Sequence, residues 1–402
     1  MIPNTTFAPF AKPLYVMLKP VGAVCNLRCK YCYYLDKKKL YPQEKRYVMT
    51  EGVLENFIRQ YLESQTMPQV LFTWHGGETL MRDIRFYKKA LELQQKYGRG
   101  LQIDNCLQTN GTLLNDDWCR FFKDNNFLIG ISIDGPQHCH DIYRRTADGR
   151  PSFLQVMRGI NLLKKHEVEF NVMAVVNDYN VDYPLDFYHF FKEIDVRFIQ
   201  FAPIVECLPD GTPAPWNVQP EKWGNFLITI FDEWVQKDVG KFYILYFDST
   251  LANWVGENPG ICVFAKTCGH AGVIEFNGDV YACDHFVFPE YKRGNISVNT
   301  LAGMMYSSEQ MKFGTDKFDT LPEYCRRCEF LFACQGECPK NRIINTPDGE
   351  LGLNYLCKGY YNFFKHVAPY MDFMKHELLN QRPPANVMKE INTIKQGYGV
   401  GE

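Results

Sequence analysis

The sequence predicts an α/β fold, a parallel sheet of βα repeats followed by a smaller cysteine-rich lobe. Three observations predict it. Short apolar runs alternate with amphipathic stretches from about Leu14 to Val205, a Pro-rich connector (208–223) follows, and eight cysteines crowd the segment from Cys262 to Cys357. A chain of 402 residues is too long for one ordinary small core. Its 46% hydrophobic and 15% aromatic content suffices to bury two and argues against disorder.

Taken in order, the strand segments are LYVML (14–18), VLFTW (70–74), LQIDNCLQT (101–109), FLIGISI (127–133), FNVMAVV (170–176) and RFIQFAPIV (197–205). Amphipathic helices are predicted after Thr50, Arg85, Asn115, Ser152 and Asp182, with Thr50, Asn115, Ser152 and Asp182 as N-caps. Six strands alternating with five helices imply parallel units with right-handed crossovers, arranged as an open doubly wound sheet or an incomplete barrel. In either case chemistry belongs at the C-terminal strand ends, where VCNLRCKYC, HGGE, NGT and DGP fall. Further helices are expected over about 220–236 and in YYNFFKHVAPYMDFMKHELL. The cysteine-rich region shows only short strand signals, GVIEF and GDVYAC, so it is expected to lack a large apolar core and to need metal to fold.

Charge excludes some functions. With 44 basic and 46 acidic residues, nothing favours a nucleic-acid or anionic-membrane partner. The first twenty residues lack a basic start followed by an apolar run, and no window approaches the ~20 apolar residues of a membrane span. A cytoplasmic protein is expected, in which 15 cysteines more often bind metal than pair as disulfides.

Cys25, Cys29 and Cys32 lie at i, i+4 and i+7, and Pro20 and Gly22 upstream argue for a loop wrapped round a ligand. A structural zinc site wants four ligands, and no fourth lies nearby. A cubane iron–sulfur cluster on three thiolates instead leaves one iron open for a substrate. A stripe of buried cysteines, or zinc with a distant fourth ligand, is the alternative.

CNLRCKYC, a CxxxCxxC motif with an aromatic before the last Cys, resembles the radical S-adenosylmethionine (SAM) superfamily. The resemblance implies a partial (β/α)6 TIM-type barrel. It also implies that SAM binds the open iron through its amino and carboxylate groups and is cleaved to methionine and a 5′-deoxyadenosyl radical. HGGE (75–78) resembles the family's GGE segment, which implies that Gly76, Gly77 and Glu78 hold the SAM amino group. By position in that fold, Tyr31, Ser132, Arg144 and Val205 are further SAM contacts, with Arg144 suited to the carboxylate. His75 stands where relatives often carry Gln.

Eight C-terminal thiols are the right number for two four-ligand clusters. Cys262-x5-Cys268-x9-Gly278-x4-Cys283, Cys325-x2-Cys328-x5-Cys334-x3-Cys338 and Cys357 resemble the SPASM extension of radical SAM enzymes. The resemblance implies one auxiliary cluster on Cys262, Cys268, Cys283 and Cys338 and another on Cys325, Cys328, Cys334 and Cys357, making three 4Fe–4S clusters in all. The expected domains are the radical SAM barrel over 1–207, a linker and helical connector over 208–261, the SPASM domain over 262–365, and a C-terminal helix and tail over 366–402. Cys106, Cys119, Cys139 and Cys207 carry no such spacing and read as small hydrophobes.

Asp284 directly follows Cys283. The CD step, together with PLYVMLKP, LQTNGTL, SIDGP and RFIQF, resembles the anaerobic sulfatase-maturating enzymes over roughly residues 14 to 365. This implies oxidation of a Cys or Ser in a CxPxR or SxPxR sulfatase polypeptide to 3-oxoalanine (formylglycine), with Asp284 as base and a flavodoxin- or ferredoxin-like electron donor. An ionised Asp beside an anionic cluster is expected to have a raised pKa. Tyr34 and His75 are expected to line the peptide site. The competing readings are a SPASM enzyme that crosslinks a peptide, for example through thioethers, and a zinc-stabilised scaffold or electron-transfer protein.

Overall fold

The computed structural model describes residues 14–208, 210–269 and 271–397, so the reading of residues 1–13 as free of a leader lies outside the described residues. The first half alternates as the periodicity predicts. It contains β1 (Tyr15–Leu18), α1 (Glu51–Glu63), β2 (Gln69–Trp74), α2 (Ile84–Tyr97), β3 (Gln102–Thr109), α3 (Asp116–Asp124) and β4 (Phe127–Ser132). There follow α4 (Gln137–Tyr143), α5 (Phe153–Lys165), β5 (Phe170–Val176), α6 (Pro184–Glu193) and β6 (Phe198–Pro203). Then come α7 (Pro220–Lys237), β7 (Tyr243–Ile244), α8 (Leu245–Val255), β8 (Ala271–Ile274), β9 (Asp279–Tyr281) and β10 (Lys292–Asn295).

Side-chain caps explain several boundaries. Thr50 accepts from Val53 N at 3.3 Å and Asn115 from Trp118 N at 2.9 Å, each opening its helix as predicted. Asp83 caps α2 through Phe86 N at 3.1 Å, moving the start upstream of Arg85. Ser152 precedes α5 but makes no cap; its hydroxyl donates to the Arg144 carbonyl at 2.7 Å. Asp182 stands one residue outside α6, whose N-cap is Tyr183, and accepts from Lys222 Nζ at 2.6 Å.

Two compact units form, and they do not follow the chain linearly. Unit 1 takes Met1–Ser132, Tyr143–Phe170 and Gly269–Thr315; unit 2 takes Ile133–Ile142, Asn171–Cys268 and Asp316–Glu402. In unit 1 the strand order is β10-β9-β8-β1-β2-β3-β4. β1 to β4 run parallel, in registers that bring Leu18, Trp74 and Leu107 side by side. Val16, Leu18, Phe72, Trp74, Leu107, Ile129 and Ile131 are all fully buried and alternate along their strands, so one face of the sheet is packed into a core.

β8 pairs parallel with β1 from Tyr15↔Ala271 to Leu18↔Ile274, and β9 and β10 extend it antiparallel. This corrects the expectation that the cysteine-rich region lacks an apolar core. Its first third adds strands to the sheet, and Val273, Ile274 and Val280 are buried there.

In unit 2, β5, β6 and β7 run parallel. The helix Cys357–Leu379 crosses α7 where a Cβ on Gly359 would lie 2.1 Å from the Pro220 carbonyl, so only glycine allows that approach. Aromatics fill the crossing, with Trp223 stacked on Phe226 and edge-on to Tyr360. Among the described residues no helix is long and apolar enough to cross a membrane.

Candidate active site at the strand ends

The cysteine loop of unit 1 is irregular, as Pro20 and Gly22 require, with one turn closed by Cys32 N donating to Cys29 O at 3.1 Å. Three neighbours hold it. On one side Arg28 N donates to Arg145 O at 2.8 Å and Lys30 N to Tyr143 O at 3.1 Å, which sets Arg144 beside the loop. The Arg144 guanidinium lies 5.7 Å from the Tyr31 ring centroid, and both side chains are buried. Its charge acts on the Cys32 thiol.

On the second side the HGGE segment runs along the chain that leads into the loop. His75 N donates to Leu18 O at 2.8 Å, Gly77 N to Gly22 O at 2.7 Å and Glu78 N to Val24 O at 2.8 Å. A Cβ on Gly77 would sit 2.0 Å from the Val24 carbonyl oxygen, and Gly76 has φ of +139°. Both glycines are therefore needed to bring HGGE against the cysteine loop. The third neighbour is NGT: Asn110 Nδ2 donates to Asn26 Oδ1 at 2.9 Å and reaches Cys25 Sγ at 3.8 Å, and Asn26 Nδ2 donates to Thr112 Oγ1 at 2.8 Å. Burial pushes the Cys25 thiol up to about 11.

The carboxylate of Glu78 is more occupied than the motif suggests. It accepts from Leu80 N at 2.9 Å, Thr109 Oγ1 at 2.6 Å and Asn110 N at 2.8 Å, and it is buried. With the Thr79 side chain acting on it as well, Glu78 ties the turn after β2 to the end of β3. Ser132 Oγ accepts from Gln108 Nε2 at 2.9 Å at the end of β4. Val205 lies in unit 2, where its carbonyl accepts from Lys340 Nζ at 2.6 Å.

A second group of charges stands at the end of β1. Lys19, fully buried, places its ammonium 2.5 Å from Asp284 Oδ1, 3.1 Å from His75 Nδ1 and 4.1 Å from the Tyr34 ring centroid. Tyr33 donates to Asp284 Oδ2 at 2.5 Å. Gly76 N also donates to His75 Nδ1, at 2.8 Å, so two donors fix that nitrogen as an acceptor and leave the proton on Nε2. Burial, with Lys19 beside it, pulls His75 down to about 3, which keeps the ring neutral.

For Asp284 burial alone raises the pKa, but the positive charge around it, that of Lys19 first, outweighs it. Among the protein groups Asp284 is held well below the ordinary carboxylate range. The expectation of a raised pKa rests on the charge of the neighbouring cluster, and Lys19 is the cation that opposes that charge. Tyr34 is buried and donates to Glu275, which ties its hydroxyl to the protein.

The thiols of unit 2 gather in two places. Cys262 lies near enough to Cys268 to act on its charge. Cys357 feels Cys325 and Cys328, and Cys334 feels Cys357 and Cys325, so the set Cys325, Cys328, Cys334 and Cys357 falls together. Cys283 is placed in unit 1 and Cys338 in unit 2. Among the described residues no three His, Cys, Asp or Glu side chains converge closely enough to hold a single metal ion. The thiolates of a cubane each bind a different iron and stand further apart.

Comparison with known proteins decides the family. A serine-type anaerobic sulfatase-maturating enzyme of Bacteroides thetaiotaomicron is 66% identical, over 96% of this chain and 97% of that protein. The chain belongs to the anaerobic sulfatase-maturating enzymes. Within it, residues 20–191 match the Radical SAM superfamily and residues 266–329 an iron–sulfur cluster-binding (SPASM) domain. The serine-type enzyme of Klebsiella aerogenes is 36% identical over 90% of this chain and 87% of its own length. A solved structure described as native anSMEcpe with bound AdoMet and Cp18Cys peptide superposes with a TM-score of 0.82 at 31% identity, over 91% of this chain and all of that one.

An anaerobic sulfatase-maturating enzyme uses 4Fe–4S clusters and SAM, and the residues here fit them. The cysteine loop offers three thiols and no fourth ligand in its sequence, Arg144 supplies a buried cation beside them, and the glycines of HGGE keep the loop face free of side chains. Sequence reasoning missed Lys19 and Tyr33. Lys19 was marked by position, as the one charge directly after the apolar run YVML, at the strand end where chemistry was expected.

Proposed function

We propose that this sulfatase-maturating enzyme oxidises a serine in the active-site peptide of a sulfatase to 3-oxoalanine, with Asp284 as the base. The observation that carries the reading is the Lys19–Asp284–Tyr33 group, in which a fully buried ammonium and a phenol hold the carboxylate of the residue following Cys283. Serine is favoured because the relative at 66% identity is named serine-type; a cysteine in the same peptide context is the second substrate.

The conversion removes one hydrogen atom from Cβ, one hydroxyl proton and one electron. Cys25, Cys29 and Cys32 would hold the cluster that binds SAM, which when bound would supply the hydrogen-abstracting radical, and the cysteines from Cys262 to Cys357 would hold auxiliary centres able to accept the electron. The hydroxyl proton goes to Asp284. Lys19 keeps that carboxylate ionised, and Tyr33 aims it from the opposite oxygen. Neutral His75 keeps its proton on Nε2, and Arg144, beside the cysteine loop, pairs with the SAM carboxylate in this reading. Gly76, Gly77, Glu78, Tyr31 and Ser132 are the further SAM contacts of unit 1 in this reading.

A flavodoxin- or ferredoxin-like protein serves as reductant, and the enzyme works in the cytoplasm. Support for the location comes from the cysteine content, which suits a reducing compartment.

Reduced enzyme, SAM and an SxPxR peptide, with its CxPxR counterpart in parallel, are incubated without oxygen and the peptides weighed. The serine peptide loses two mass units through loss of two hydrogens. Unchanged peptide beside normal SAM cleavage removes the assignment, and an Asp284→Asn variant that oxidises peptide normally removes the base.

A further inference from the structure

The segment Cys262–Ala265, which carries one of the cysteines read above as cluster ligands, presents four consecutive carbonyls, and each is met by a buried or half-buried side chain. Lys317, in the helix Ser308–Asp319 and 1% exposed, donates from Nζ to Cys262 O at 2.6 Å, Val263 O at 2.8 Å and Ala265 O at 2.5 Å. The remaining carbonyl, of Phe264, accepts from Asn253 Nδ2 of α8 at 3.0 Å. The same Asn253 amide donates to Ala333 O at 2.9 Å, the residue before Cys334. All of these groups belong to unit 2.

Three acceptors at hydrogen-bond distance use three N–H donors, and only the ammonium form of lysine has three. A lysine sealed from water is rare unless its charge is answered. The anionic partners that act on this one are Cys268, Cys262, Glu337 and Cys338. Three of those four are cysteines that the reading above gives to one auxiliary centre.

We infer that Lys317 is a positioning residue for the auxiliary iron–sulfur centre that takes Cys262 and Cys268, holding its ligand turn by three carbonyls and setting one fixed positive charge against it. The inference rests on the cluster reading proposed above. A cubane on four thiolates is anionic and gains a further negative charge on reduction. A fixed cation in a dry site therefore favours the reduced state, and net charge and exposure are the protein's levers on such potentials. The consequence is specific: Lys317 makes this centre a better electron acceptor and leaves the SAM-binding cluster in unit 1 alone. Asn253, which joins Phe264 to Ala333, gives the same frame a neutral strut.

The test compares Lys317→Gln, Lys317→Met and Lys317→Arg with the parent enzyme, all loaded with iron and sulfide without oxygen. Iron per chain and the reduction midpoint of each centre are read by spectroscopically monitored titration. Gln keeps two N–H donors and loses the charge. It is expected to keep its iron while the reduced-to-oxidised ratio of one auxiliary centre, at fixed poise, falls about tenfold or more. Met loses donors and charge, and is expected to lose about one cluster's iron, four atoms per chain. Arg is expected to keep both iron and midpoint.

Cleavage of SAM without peptide stays unchanged in all three. Full iron and unshifted midpoints in Gln and Met overturn the inference, and so does a uniform loss of all centres, which marks a merely structural lysine. If Gln and Met do not fold, Arg decides, since a shifted midpoint with the charge kept also overturns it. Parent enzyme holding iron for the unit 1 cluster alone instead overturns the underlying reading of the C-terminal cysteines.

Discussion

The ammonium of Lys19 lies 2.5 Å from the carboxylate of Asp284, and the lysine has no exposure to solvent. The two are 265 residues apart by number, 284 less 19, and meet because β8 pairs in register with β1 and the turn after β9 returns to the same strand end. Removing one partner of a buried pair leaves the other charge unanswered, at a cost of about 3–5 kcal/mol. Lys19→Met should therefore lower the unfolding free energy by about that amount. It should also reduce peptide oxidation about 100-fold or more, the range expected when a base is mis-set. Lys19→Arg keeps the charge and should recover part of the stability. Chemical unfolding without oxygen, and product formed per 5′-deoxyadenosine, measure the two effects. A stable Lys19→Met enzyme with normal coupling contradicts the role given to the pair.

His75 shares that lysine. Its Nδ1 accepts from Lys19 and from Gly76 N, so a side chain with no acceptor strands two buried donors, and each unmet donor costs about 1–3 kcal/mol. His75→Phe should slow peptide oxidation by about 10- to 100-fold. His75→Gln offers a carbonyl oxygen at similar reach and should retain more activity than His75→Phe. Equal activities in the two variants would show that the acceptor is irrelevant. Steady-state kinetics on the serine peptide distinguishes them.

The sheet and the cysteine loop were legible in the sequence because both rest on local signals. β2, β3 and β4 begin and end within a residue of the apolar runs that predict them, and Cys25, Cys29 and Cys32 announce themselves by spacing. What could not be read was long-range. Nothing in GVIEF says that it will pair with LYVML, yet that pairing in unit 1 puts Asp284 on Lys19, a cation that opposes the charge of the neighbouring cluster. Likewise GGE marks the segment that lies against the cysteine loop but not the donors on Glu78, which come from the turn after the motif, from Thr109 at the end of β3 and from Asn110 beyond it.

Gly77 tests the cradle directly. Any side chain there meets the Val24 carbonyl at 2.0 Å, a backbone atom that cannot swing aside. Gly77→Ala must push HGGE away from the cysteine loop and break the bonds from Gly77 N and Glu78 N. The expected outcome is loss of about four irons per chain, with the iron of the C-terminal thiols retained. Gly100, whose added Cβ meets nothing within 4 Å, is the matching control. Its positive φ of 83° makes alanine costly by only about 1–2 kcal/mol of local strain, so Gly100→Ala should keep full iron. Iron and sulfide analysis decides between them.

Glu275 gives the pH dependence. It is almost fully buried and hydrogen-bonded by Tyr34, and burial pushes its carboxyl up to about 7 against the opposing pull of the Tyr34 bond and Lys19. A carboxyl whose folded pKa is raised binds its proton more tightly folded than unfolded. Its contribution to stability is full below the unfolded value near 4.3 and is lost as pH rises through the folded value. Between about pH 4.5 and 7 the enzyme should thus lose stability on the order of 3 kcal/mol from this one group. Glu275→Gln mimics the protonated form, keeps an acceptor for Tyr34, and should flatten that slope while leaving stability near pH 5 little changed. Unfolding midpoints measured without oxygen at pH 5, 6, 7 and 8 for both chains provide the check. Parallel slopes would mean that Glu275 stays ionised throughout, with the charge answered by Lys19.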